Sequence, residues 1–181
     1  MEKPVIIAGF PDSTSRMNAF LIDAFEYSRH KEQRQGDIAV ADMVRLTEEL
    51  ADNSGSLHWS LLGEVDSLGF SQLRLSVSGS VRLMCQRCLV PFAFEIASDS
   101  RLILAKDEAN ADEIDALLAD DTVDVIVGSK MLNVAELIED EALLAIPLAP
   151  KHDACPDRAA LERLQGAQKP SPFAVLKNIK Q

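Results

Sequence analysis

The sequence predicts an α+β fold: an antiparallel β-sheet with a few helices, a flexible acidic linker and a C-terminal tail. Three observations predict it. Apolar and polar residues alternate in "SLHWSLLGEV", "SQLRLSVSGSVRLM" and "PFAFEI", the period of half-buried strands. The stretches between these runs are short, so the simplest arrangement pairs neighbouring strands antiparallel around a turn that contains Cys85 and Cys88. The period then lengthens in "LNVAELIEDEALLAIPL", which reads as an amphipathic helix. Residues 1–150 are expected to form a single α+β domain, and residues 151–181 a tail with a short apolar motif.

In chain order, "PVII" reads as a short strand. "SRMNAFLIDAFEYSRHKEQRQG" reads as a helix with Phe20, Leu21, Ala24 and Phe25 on one face. "DIAV" reads as a strand, after which Asp42 is the expected N-cap of a second helix that Asn53-Ser54-Gly55 ends. Trp59 belongs to the first alternating strand. "VDSLGF" makes the turn into the second, where Gly79 marks a bend. Residues 106–121 carry seven acids and one lysine, an acidic linker with a short helix around Ile114, Leu117 and Leu118. "TVDVIVG" is another strand. In the last helix Asn133 and Glu136 have capping-box spacing, and Pro147 ends it. Leu137, Ile138, Leu144 and Ala145 are expected to face inward, and Glu136, Glu139, Asp140 and Glu141 to face water.

Composition narrows the function classes. The chain has 181 residues, 47% of them hydrophobic and only 5% aromatic, so its core is mainly aliphatic. A formal net charge of −11 repels bare phosphate backbone at long range and favours a protein partner. Three cysteines, an odd and small number, do not suggest a secreted disulfide framework. "MEKPVIIAGFPDST" lacks a signal-peptide pattern, and no apolar window is long enough to span a bilayer. A soluble cytoplasmic protein is expected.

The chemistry-bearing residues are few. Cys85 and Cys88 are three apart in "CQRC", and "HDAC" supplies His152 and Cys155 at the same spacing. Together they have the composition of a structural Cys₃His zinc site, so Zn²⁺ is the candidate cofactor. The competing reading is three reduced thiols in a cytosolic protein. A thioredoxin-type redox pair suits the context less well, because the segment after Cys88 continues into a strand and Pro91 breaks any helix. No phosphate loop, nucleophile elbow or paired catalytic acids stand out, so no catalytic residue is assigned.

Two sets of residues are candidates for RNA or partner contact. Arg74, Arg82 and Arg87 form a stretch without acids, near Phe92 and Phe94. Phe173, Leu176 and Lys177 belong to "KPSPFAVLKNIK", which has the make-up of a docking peptide or of a segment that folds back on its own sheet.

In order and spacing, "CQRCLVPFAFEI", the acidic stretch, "VAELIEDEALLAIPLAPKHDACP" and "KPSPFAVLKNIK" resemble the bacterial YceD family, the large ribosomal RNA subunit accumulation proteins. The resemblance runs from about Leu73 to the end. It departs at Leu89, where the family's turn often carries glycine. It implies a non-enzymatic ribosome-biogenesis role in the synthesis, processing or stability of 23S rRNA. The implied partner is a ribosome-assembly protein or the pre-50S particle, with rRNA contacted directly or indirectly. A metal-binding or redox-responsive regulator built on the Cys-x-x-Cys turn is the alternative; an RNA-processing enzyme is a third class without a catalytic constellation behind it.

Overall fold

The computed structural model describes residues 5–7, 20–118 and 122–156. A six-stranded sheet organises the chain, in the order β1-β3-β4-β5-β6-β7. Its strands are β1 (Val5–Ile7), β3 (Gln33–Ala39), β4 (Ser56–Val65), β5 (Ser71–Met84), β6 (Pro91–Ala105) and β7 (Asp124–Val127). The four central strands are antiparallel, but β1 runs parallel to β3 and β7 parallel to β6, so the sheet is mixed rather than purely antiparallel. The parallel pairing of β7 follows from α3 (Glu108–Leu118), which crosses over between β6 and β7 where a hairpin would have reversed the chain. A second, two-stranded pairing joins β2 (Leu21–Ile22) to β8 (Leu132–Asn133).

The alternation in β5 works as the sequence suggests. Leu73, Leu75, Val77, Val81 and Leu83 are all buried on one face, with Leu57, Trp59 and Leu61 of β4 beside them. The strand passes through Gly79 unbroken: a Cβ there would lie 2.7 Å from Leu57 Cδ2 and 2.9 Å from the Ser56 carbonyl oxygen, so the glycine permits close strand approach. Gly63 does the same for α1 (Ala24–Arg29), because a Cβ there would lie 2.8 Å from the Tyr27 carbonyl carbon. Tyr27 sits in this contact with its hydroxyl donating to the Leu61 carbonyl at 3.0 Å.

The first helix is shorter than its apolar pattern suggests. Asp23 accepts from the amides of Phe25 and Glu26 at 3.1 Å and starts the helix there, while Leu21 and Ile22 pair with β8 instead. Asp42 is likewise not a cap. It lies in a 3₁₀ turn, and α2 (Val44–Glu49) begins after Met43, which offers no side-chain acceptor. The acceptor comes from the last helix, α4 (Val134–Ala145). Glu139 Oε1 accepts from Arg45 N at 2.7 Å and from Leu46 N at 3.0 Å, and Oε2 accepts from Arg45 Nε at 3.0 Å.

The face of α4 is therefore rotated from the expected one. Asn133 accepts from the Ala135 amide and donates to Glu136, as the capping pair predicts. Val134, Ile138 and Ala142 form the buried stripe, Leu137 and Ala145 flank it, and Leu144 is 80% exposed. Glu139 and Glu141, expected in water, are 8% and 7% exposed. Glu141 is drawn inward by Ser98 and Ser100, two polar side chains on the core face of β6 that donate to Glu141 Oε2, Ser100 at 2.6 Å. Buried polar groups require such partners. On the opposite face of β6, Ile103 and Ala105 pack with Ile114 of α3 in a small second cluster, so the acidic stretch is structured over residues 108–118.

Candidate functional site

The hairpin β5–β6 closes with Met84 opposite Pro91, leaving residues 85–90 as its turn. Cys85 N donates to the Val90 carbonyl at 3.2 Å, and Leu89 N donates to the Cys85 carbonyl at 2.8 Å. Leu89 has φ 58°, a left-handed conformation that glycine adopts without strain and leucine does not. This tight turn presents both sulfurs on its inner side, with Cys85 fully buried and Cys88 9% exposed.

The segment after α4 closes over the turn. Gln86 N donates to the Pro150 carbonyl at 2.9 Å, and Gln86 Nε2 to the Leu148 carbonyl at 3.4 Å. These bonds bring "HDAC" onto the knuckle. His152 Nδ1 lies 3.4 Å from Cys88 Sγ, and Cys155 Sγ lies 3.9 Å from Cys85 Sγ. One ligand atom from each of Cys85, Cys88, His152 and Cys155 falls within 4.8 Å of all the others. A tetrahedral ion with Zn–S bonds of about 2.3 Å and a Zn–N bond of about 2.0–2.1 Å separates two sulfurs by about 3.8 Å, and sulfur from nitrogen by about 3.5 Å. The cluster has the composition and spacing for such an ion.

The surroundings of the sulfurs are polar and cationic. Arg87 Nε donates to Cys155 Sγ at 3.0 Å, and a terminal nitrogen of the same guanidinium donates to the His152 carbonyl at 2.9 Å. The Cys155 sulfur in turn raises the pKa of Arg87. Burial opposes ionisation of Cys85, but amides of His152, Cys88 and Arg87 directed at its sulfur outweigh it and bring the pKa down to about 5. Burial, with the neighbouring sulfurs of Cys155 and Cys85, pushes Cys88 up to about 11. The site thus favours one thiolate and resists the next, chiefly through burial and also through the neighbouring sulfurs, an imbalance that a divalent cation at the centre would remove. The Phe92 ring packs against the His152 imidazole with centroids 4.9 Å apart. Phe92 and Phe94 both rest against the main core.

The arginines singled out in the sequence lie in different places. Arg74 makes a paired contact with Asp99, at 3.0 and 2.6 Å. Arg82 lies 3.3 Å from Asp52. Only Arg87 belongs to the cysteine cluster. Phe173, Leu176 and Lys177 lie outside the described residues. His58 sits on the outer face of β4, 3.3 Å from Asp37. Sequence reasoning missed Glu139, Glu141 and the anchoring role of Gln86, because each depends on a partner more than forty residues away. The absence of glycine after Cys88 was the one local sign of the strained Leu89. Among the described residues no helix is long and apolar enough to cross a membrane.

Comparison with known proteins places the chain. The family profile for the large ribosomal RNA subunit accumulation protein YceD matches residues 73–180, more than half the chain and the whole of the cysteine cluster. The chain is 28% identical over 173 residues to the large ribosomal RNA subunit accumulation protein YceD of Haemophilus influenzae, covering 88% of this chain and 94% of that one. No solved structure matches it. With its knuckle, acidic helices and closing segment inside the matched region, and all but the first two residues of its hairpin, the chain belongs to the YceD family.

Proposed function

We propose that this chain supports accumulation of large-subunit (23S) ribosomal RNA as a non-enzymatic, cytoplasmic ribosome-biogenesis factor, and that Cys85, Cys88, His152 and Cys155 hold a structural Zn²⁺. Membership of the YceD family carries the first part. Action through a protein of the pre-50S particle is favoured over direct RNA binding by two features. The chain carries a formal charge of −11, and Arg74 and Arg82 lie against Asp99 and Asp52, where their charge is already matched. Convergence of four ligand atoms from segments some sixty residues apart carries the second part. In this reading the domain extends through Cys155, and the zinc is a clasp that joins the post-α4 segment to the hairpin.

Metal analysis of the purified full-length protein tests the clasp. One Zn²⁺ per chain, lost in Cys85→Ser, is expected; zinc-free protein with three freely titrating thiols would sink it. After chelation, the Gln86 amide should lose hydrogen-exchange protection while Leu75 in mid-sheet keeps it, because the aliphatic core does not depend on the cluster. For the cellular role, the ratio of 23S to 16S rRNA is measured in cells lacking the protein. An unchanged ratio rejects the proposed function.

A redox-responsive role is the second reading, favoured by the low pKa of Cys85 and the proximity of its sulfur to Cys155. Stoichiometric zinc with thiols inert to alkylation would exclude it.

A further inference from the structure

Beside the knuckle lies an open groove of about 510 Å³, with walls from the end of α2, the hairpin turn and the segment after α4. Met84, Leu89 and Leu148 line it, and they are 40%, 70% and wholly exposed. Single exposed apolar side chains are ordinary, but three around one concavity form a patch of the kind that binds. Leu89 adds an independent sign. Its left-handed backbone is a cost that glycine would avoid, and its side chain, 70% exposed, recovers little burial within the described fold. The turn is thus served poorly by leucine, and the groove is served well.

The charge of the groove identifies the occupant. Among the described residues its only charged lining residues are Glu48 and Glu49. An apolar floor with an acidic wall suits a segment with aliphatic or aromatic anchors next to lysine or arginine. Proteins that coat ribosomal RNA carry such cations because they neutralise phosphates. We infer that this groove docks a short apolar segment, flanked by lysine or arginine, of a basic protein of the large ribosomal subunit. This deepens the proposed function and rests on it. The Gln86 bonds to Pro150 and Leu148 fix two walls against each other, so the groove is preformed.

A photo-crosslinking benzoylphenylalanine in place of Leu148, in the full-length protein, tests the inference. The probe is the total protein of 50S subunits stripped of RNA. A crosslink to a basic subunit protein, reduced at least about tenfold by Glu48→Lys with Glu49→Lys, is expected. A crosslink confined to this chain's own residues 157–181 or to a second copy overturns it, as does no crosslink, or one indifferent to the charge reversals. A crosslink to rRNA in intact subunits, without one to protein, also overturns it. Complementation separates this failure from failure of the function itself. If loss of the chain lowers 23S rRNA and a Leu89→Ser, Leu148→Ser variant restores it fully, the groove inference falls and the function stands. If loss of the chain leaves 23S rRNA unchanged, the function falls. The two exposed leucines are chosen because their loss should leave circular dichroism and Tm unchanged. Should that variant unfold, the charge-reversed protein takes its place.

Discussion

Replacing Glu139 by alanine should loosen one wall of the groove while leaving the sheet intact. Among the described residues, Glu139 is the only side chain that accepts from the first-turn amides of Arg45 and Leu46 in α2, at 2.7 and 3.0 Å. It acts as an N-cap supplied from another helix. Loss of an N-cap acceptor costs about 1 kcal/mol, and up to about 2 where the freed donors are buried. Leu46 is fully buried, which puts the cost near the upper figure, about 2 kcal/mol. For a domain of this size that is a fall in Tm of roughly 4–8 °C. Glu139→Gln keeps one carbonyl oxygen for the two amides and should recover about half. Thermal unfolding followed by circular dichroism measures both. A fall below about 2 °C for Glu139→Ala would refute the reasoning, since it would mean that water or another side chain satisfies those amides equally well. Equal falls for alanine and glutamine would locate the stabilisation in the carboxylate's charge, not in the cap.

Other consequences are equally direct. Ser98→Ala with Ser100→Ala leaves the Glu141 carboxylate buried without its donors and should cost about 2–3 kcal/mol, whereas adding Glu141→Leu should restore most of it; urea titration distinguishes the two. Gly63→Ala forces a methyl into the Tyr27 backbone, so α1 should detach or the protein should lose at least about 2 kcal/mol, read from the same titration. Arg74, by its hydrogen bonds and charge, holds Asp99 below its ordinary pKa, so this pair stabilises the fold above the unfolded carboxylate pKa and the benefit disappears as pH falls through the lower, folded value. Asp99→Asn should therefore flatten the acid side of the stability profile without changing its alkaline side, and a parallel profile would contradict this.

What could be read along the chain was whatever rests on local periodicity. Leu73, Leu75, Val77, Val81 and Leu83 announce a strand with one buried face because the pleat alternates by geometry alone. Pro147 and Asn133 bracket α4 because caps and breakers act within a few residues. The metal candidates were legible as two pairs with the same spacing, since residue type and interval decide which side chains are able to ligate. Their grouping into one site was expected from the sequence, but the contact that brings the two pairs together was not legible. It depends on α4 reversing the chain and on Gln86 bonding to Pro150, more than sixty residues downstream.

The rotation of α4 is the clearest case of what tertiary structure alone decided. Hydrophobic pattern placed Leu144 inward and Glu139 and Glu141 outward, a sound expectation for a helix facing an apolar surface. The surface it meets is partly polar. Ser98 and Ser100 point into the core, and the amides of Arg45 and Leu46 open a helix beside it. An unmet buried donor costs about as much as exposing a leucine, so satisfying four donors outweighed burying Leu144. By itself the sequence determined the strands, the chain's aliphatic core, its acidity and the identity of four candidate ligands. Only the fold decided which polar groups would be buried and therefore which carboxylates had to follow them, because those demands arise between segments that meet only once the sheet has formed.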